Sequence, residues 1–190
     1  RAVSMCDDYG MDAISTGATI SWAMESFEKG LLTADDTGGI NLGFGEDDAI
    51  LTLVEMIASR TGIGKLLGEG SLRASESTGN GSKSWAMQVK GLEMPGYDPR
   101  SLKTLALALA VSTRGACHNR SSAYEIDFSS KVDRFKASEE RGSMTAESED
   151  YSAILDSLIW CKFLRKAFKD IYVESANIYE KITGWDITPE

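Results

Sequence analysis

Asp12-Ala-Ile-Ser-Thr-Gly-Ala-Thr-Ile-Ser-Trp-Ala-Met-Glu-Ser-Phe-Glu-Lys29 is the stretch that decides the fold class. Small and apolar residues recur at Ala13, Gly17, Ile20, Met24 and Phe27, a three-to-four spacing that lines one face of a helix. Gly30 is a natural C-terminal stop. The same period returns in Ile50, Leu53, Val54 and Ile57 and predicts a second helix over 46–60. Glu46, Asp47 and Asp48 complement its N-terminal dipole, and Arg60 and Gly62 close it. Residues 31–45, with four Gly and Asp35-Asp36, read as a long loop. Short helices are expected over 63–67 and 71–77, punctuated by Gly68 and Gly70.

The helical pattern breaks over 78–100. Asn80-Gly81 signals a turn, and Trp85, Met87 and Val89 alternate as a short strand would. Pro95-Gly96 and Pro99 lead into a helix over 101–112, whose apolar run Leu105–Val111 predicts burial on all sides. Residues 113–142 read as polar and irregular. A long amphipathic helix is predicted over 147–169, with Ile154, Leu158, Cys161 and Phe168 at helical spacing, and a last one over 170–182, ended by Gly184. The expected fold is all-α and multihelical with at most a short β-hairpin, in one body or in two lobes of roughly 1–80 and 81–190.

Composition narrows the function classes. The chain has 190 residues, 42% hydrophobic and 26% charged, ordinary for a soluble globular protein. Its 20 Lys+Arg against 29 Asp+Glu give a net charge of -9 without a basic stripe, which argues against a nucleic-acid partner. Leu105–Val111 is far short of the ~20 apolar residues of a membrane span. Three scattered cysteines favour a reducing, cytoplasmic setting over a disulfide framework. They are also too few for a four-thiolate cluster, and a single His excludes a His-rich metal site built from this chain alone. The chain opens on Arg1, and Thr188 before Pro189 reads as the start of a further helix, so a piece of a longer protein is expected.

Four segments carry more special residues than packing requires. Asp7-Asp8-Tyr9-Gly10-Met11-Asp12 precedes the first predicted helix; its carboxylates either cap that helix or accept from an N–H-rich heterocycle. Lys90-Gly-Leu-Glu-Met-Pro-Gly-Tyr-Asp-Pro-Arg100 is either a loop held by a Lys–Glu or Asp–Arg pair or a specified functional element. Thr113-Arg-Gly-Ala-Cys-His118-Asn-Arg120 places the single His between two arginines in a Gly-containing loop. That setting suits an acid/base group beside an anion, and the flanking charge favours the neutral imidazole. Asp156-Ser-Leu-Ile-Trp-Cys161 sets a carboxylate and a thiol five residues apart, where a buried Cys would by default be a small hydrophobe. Gly38-Gly39 and Gly62-Ile63-Gly64-Lys65 match neither a P-loop nor a dinucleotide fingerprint.

In this order the four segments, with Thr183-Gly-Trp-Asp186 at the close, resemble the aldehyde:ferredoxin oxidoreductase family of tungsten enzymes. The resemblance implies the C-terminal helical domains of such an enzyme, without its N-terminal β-rich domain. It implies a tungsten (or molybdenum) bis-molybdopterin cofactor and a [4Fe–4S] cluster, both requiring residues outside this chain. Asp7 and Asp156 match the first Asp of the family's two Asp-x-x-Gly-Leu-(Asp/Cys) pterin motifs, and Asp12 closes the first of them. Ile159-Trp160 departs from the Gly-Leu of the second. Cys161 matches the fourth cluster ligand, His118 matches the active-site His, and Arg120, with Arg114, could hold pterin or substrate oxygens. Cys6 and Cys117 match no family role.

The implied reaction oxidises an aldehyde to a carboxylic acid, with ferredoxin as electron acceptor. The remaining partners are the rest of the same polypeptide and, in an oligomer, a second copy in a homodimer. A same-superfamily tungsten enzyme acting on another substrate, such as a benzoyl-CoA-type aromatic reductase, and a non-catalytic helical fragment are the competing readings.

Overall fold

A computed structural model describes residues 1–189 and divides the chain into two units, Arg1–Ser101 with Leu109–His118, and Leu102–Ala108 with Asn119–Glu190. The first unit holds α1 (Ala2–Asp8), α2 (Ala13–Glu28), α3 (Ala34–Thr37), α4 (Asp47–Ser59), α5 (Gly64–Leu67) and α6 (Ser71–Thr78). A 3-10 turn over Ser82–Trp85 leads into a hairpin of β1 (Gln88–Val89) and β2 (Leu92–Glu93), paired antiparallel with Val89 opposite Leu92. The chain passes between the units after Ser101, within α7 (Lys103–Val111) and again after His118. The second unit continues with α8 (Tyr124–Asp127), α9 (Glu140–Ser157), a 3-10 segment over Lys162–Ala167, and α10 (Ile171–Thr183). The architecture is multihelical with one two-stranded hairpin, as the periodicity implied. No helix of the described residues is long and apolar enough to cross a membrane.

The first unit is built around α2. Asp12 caps it by accepting the Ser15 N–H at 2.7 Å, so the first acidic segment does serve as a cap. Ile20, Trp22 and Met24 are buried with Leu53 and Val54 of α4 and Leu67 of α5; each such side chain contributes about 1.5–3 kcal/mol by leaving water. Trp22 Nε1 donates to Ser82 O at 3.1 Å, and Trp85 Nε1 to Ser26 Oγ at 2.9 Å, so both indoles satisfy their polar edge while packing. Glu93 fixes the hairpin. Its buried carboxylate accepts from Ser71 N at 2.7 Å, Ser71 Oγ at 3.1 Å and Thr19 Oγ1 at 3.4 Å, which ties β2 to α6 and α2. The chain past residue 80 therefore stays with the first unit.

Several expectations need correction. The 31–45 loop contains α3, started by a capping box between Thr33 and Asp36. Trp85 and Met87 lie outside the strand, which is confined to Gln88–Val89. The all-apolar helix is not buried on all sides: Leu105, Ala108 and Leu109 are, whereas Val111 is 52% exposed. An unbroken apolar run has no amphipathic signal and cannot say which face packs.

The long late helix begins and ends earlier than predicted, at Glu140 and Ser157, and Cys161 and Phe168 lie beyond it. Its buried residues are Arg141, Thr145, Ser152 and Leu155, while Cys161 is exposed and Ile154 and Leu158 are only half-buried. The reason is a buried polar network. Asp127 accepts from Thr104 N at 3.1 Å, Thr104 Oγ1 at 2.7 Å and Leu105 N at 2.9 Å, which caps α7, and from Arg141 Nη1 at 2.9 Å. Arg141 Nη2 donates to the carbonyls of Asp133 at 2.6 Å and Lys136 at 3.0 Å. The later part of the polar stretch, from Asn119 on, thus supplies buried polar groups, Asp127 and Arg141, to the interior of the second unit.

Candidate active site

In the first unit α1 ends in a Schellman closure. Gly10, at φ +68°, donates its N–H to Asp7 O at 3.1 Å, and Met11 N–H reaches back to Cys6 O at 2.8 Å. Asp7 is exposed and sits in the last helical turn, where the negative end of the helix dipole disfavours a carboxylate and no basic residue offsets it. A locally unfavourable charge of this kind marks a functional position better than a capping Asp does. Tyr9, Met11 and Asp12 line a cavity of 340 Å³ with Ser15, Thr19 and the buried Glu93.

The second unit repeats this construction at the end of α9. Ile159 N–H donates to Asp156 O at 3.1 Å, and Trp160 N–H to Leu155 O at 2.9 Å, the same two bonds at the same offsets. Ile159 takes φ +56°, the conformation of Gly10. A β-branched residue there is a true backbone outlier, carrying about 1–2 kcal/mol of strain. The departure from Gly at this position therefore leaves the loop's backbone path unchanged. Asp156, again in a last turn, is held by Arg120 Nη1 at 2.9 Å, so these two expected site residues meet as an exposed ion pair.

Cys161 follows as an exposed free thiol at the start of the 3-10 segment. It does not share a helix with Asp156, because the turn at Ile159 separates them. The following residue in the chain, Lys162, donates from Nζ to Asn119 Oδ1 and to Tyr124 Oη, both at 2.9 Å. Cys6 is buried in the first unit's core and Cys117 is half-buried; no group of three or more His, Cys, Asp or Glu that could hold a metal ion occurs among the described residues.

His118 ends the segment of the first unit that follows α7 and is half-buried. Ser112 O accepts Lys90 Nζ at 2.7 Å, and the imidazole lies 5.6 Å from the Tyr97 ring at a 54° tilt. Arg114 is exposed. The Lys90–Arg100 segment contains the anticipated Asp98–Arg100 pair at 2.7 Å, which holds the Arg100 guanidinium above its ordinary range. It lacks the Lys–Glu alternative, since Glu93 is bound by Ser71 and Thr19. Sequence reasoning missed Glu93 as an anchor and Tyr97 as a neighbour of His118; the only signal was the unusual density of special residues in their segment.

A family model described as aldehyde ferredoxin oxidoreductase, domains 2 and 3, matches residues 1–190. The chain belongs to the aldehyde ferredoxin oxidoreductase family. It is 35% identical over 195 residues to the tungsten-containing aldehyde ferredoxin oxidoreductase of Thermococcus kodakarensis, covering 100% of this chain and 31% of that protein. The corresponding Pyrococcus furiosus protein is 36% identical, with the same coverage of each chain. A WOR-like subunit of an aliphatic sulfonate oxidoreductase from Pyrococcus furiosus is 30% identical, over 98% of this chain and 27% of its own length. The chain thus spans about a third of the length of the tungsten-containing relatives, 31% in each case. Of the residues expected to hold site roles, Asp7, Asp12 and His118 lie in the first unit and Arg120, Asp156 and Cys161 in the second.

Proposed function

We propose that the polypeptide containing this chain oxidises aldehydes to carboxylic acids. One water supplies the oxygen, and two electrons and two protons are released, the electrons passing singly to ferredoxin. The observation that carries this reading is the pair of loop closures with the same two backbone bonds, each following an Asp in the last turn of a helix, Asp7 without a basic neighbour in that turn and Asp156 paired with Arg120. Two such carboxylates suit two N–H-rich heterocycles, and the exposed Cys161 thiol suits a cluster ligand whose companion thiolates lie outside this chain. When bound, the tungsten bis-pterin centre supplies the oxidation and the [4Fe–4S] cluster supplies the one-electron outlet.

The residues of this chain hold and protonate. Asp7 would hold a pterin by accepting from its N–H groups, and Asp12, with one oxygen committed to Ser15 N–H, would offer the other. Arg120 orients Asp156 by donating to one carboxylate oxygen, which leaves the other oxygen as an acceptor. His118 takes up or returns the proton at the imidazole as water oxygen enters the product. Lys162, fixed by Asn119 and Tyr124, anchors the start of the 3-10 segment that Cys161 precedes and so holds the backbone that carries the thiol.

The test is His118→Ala in the full-length protein, with tungsten content measured alongside aldehyde oxidation. Loss of turnover with tungsten retained is the expected outcome; unchanged oxidation rejects the assignment. Cys161→Ser is expected to remove or destabilise the cluster, and a normal iron count would contradict that role. The likeness to a WOR-like sulfonate oxidoreductase subunit favours one second reading, an alkanesulfonate substrate, which the same preparation assayed with ethanesulfonate separates from the first.

A further inference from the structure

We propose that the Lys90–Tyr97 segment is the positioning device for His118, with the Tyr97 ring fixing the orientation of the imidazole. The inference rests on the reading of His118 as the acid/base group and adds how its geometry is set. The segment is itself rigidly anchored. Its turn is a two-residue type I′ link, with Lys90 at φ +55° and Gly91 at φ +83°, and the Gly91 N–H is tied to Gln88 Oε1 at 2.8 Å. Glu93 nails the following strand to α6 and α2 through three donors.

Three contacts then pass from this anchor to the His118 loop. Lys90 Nζ donates to Ser112 O at 2.7 Å and pins the start of the loop. The loop backbone lies directly against β1: a Cβ at Gly115, which takes φ +93°, would fall 2.3 Å from Val89 O. Only glycine permits both that approach and that conformation. Beyond it, Ala116 is 2% exposed and Cys117 N–H donates to Gly115 O at 2.7 Å, leaving little slack before His118. The imidazole then meets the Tyr97 ring at a 5.6 Å centroid separation and a 54° tilt, an attractive aromatic geometry. Tyr97 is set from below by buried Pro95, whose carbonyl accepts the Tyr97 N–H at 2.7 Å. The loop contacts fix where the His118 backbone is; the ring contact restricts how the imidazole turns about its own side-chain bonds. That second function belongs to a positioning residue, since Tyr97 acts through His118.

The experiment uses the full-length, tungsten-loaded enzyme with acetaldehyde as substrate and a viologen dye as acceptor. Tyr97→Leu is expected to lower kcat by about 10²-fold, the scale of an ångström-sized misplacement, while the aldehyde KM moves by less than about threefold. Tungsten content and melting temperature stay at the parent values. Tyr97→Phe, which keeps the ring, restores kcat to within about threefold of the parent. Parent-like kcat in Tyr97→Leu overturns the inference, as does a Tyr97→Phe variant as slow as Tyr97→Leu or a loss expressed in KM alone. Should Tyr97→Leu fail to fold, Lys90→Met, at the exposed turn, decides: kcat about tenfold lower supports the device and parent-like kcat overturns it. Assay of His118→Ala alongside separates the two levels. An inactive His118→Ala with an active Tyr97→Leu sinks the positioning role alone, whereas an active His118→Ala sinks the acid/base reading beneath it.

Discussion

Replacing Arg141 by Met tests the claim that a polar network organises the second unit. The Arg141 and Asp127 side chains are 5% and 0% exposed and lie 2.9 Å apart. Removing one partner of a buried ion pair leaves the other charge stranded and costs about 3–5 kcal/mol. Asp127 keeps three donors in the variant, from Thr104 N, Thr104 Oγ1 and Leu105 N, which places the expected loss near the lower bound. Losing the bonds to Asp133 O and Lys136 O pushes the other way. A net loss of about 3 kcal/mol, at 4–8 °C per kcal/mol for a unit of this size, lowers the melting temperature by about 12–24 °C. The assay is thermal unfolding by circular dichroism, paired with hydrogen exchange of the peptide spanning α7, whose Thr104 and Leu105 amides Asp127 holds. Arg141→Lys keeps the charge but not the fork, and falls between parent and Met. A Met variant that melts within about 4 °C of the parent and keeps its α7 protection refutes the reasoning.

Two further outcomes are expected. Ile159→Gly relieves a left-handed β-branched residue that is 92% exposed and loses almost no packing, so the chain gains about 1 kcal/mol; a lower urea midpoint would contradict the strain assigned there. Burial raises the phenol pKa of both Tyr124 and Tyr151 above 10.0, with the neighbouring Glu125 charge adding to the effect at each. A folded-state pKa above the unfolded value means the stabilisation is complete below pH 10 and is lost as pH rises through the raised values. Urea midpoints measured from pH 9 to 12 therefore fall in step with phenolate absorbance, and a flat profile rejects the assignment.

The helical class was legible in the sequence. Apolar spacing in Ala13–Phe27 and Ile50–Ile57 is a local property of each helix, and α2 and α4 formed within a residue or so of the bounds it implied. Asp7, Asp156, Cys161 and His118 could be singled out because charged, thiol and imidazole groups stand apart from packing residues at any position. What the sequence could not carry were facts created by residues far apart in the chain. Arg141 is buried because Asp127 and Thr104 wait for it, a pairing across 14 and 37 residues that no periodicity encodes. Glu93 is an anchor because Thr19, 74 residues earlier, and Ser71 reach it. Ile159 takes a glycine's conformation where its N–H and that of Trp160 close α9 on Asp156 O and Leu155 O, against its local preference. Local pattern determined the helical class and the bounds of the two most clearly periodic helices, α2 and α4. Tertiary structure decided which polar groups lie inside and how the loop bearing His118 is held, since desolvation and hydrogen-bond geometry exist only after distant segments meet.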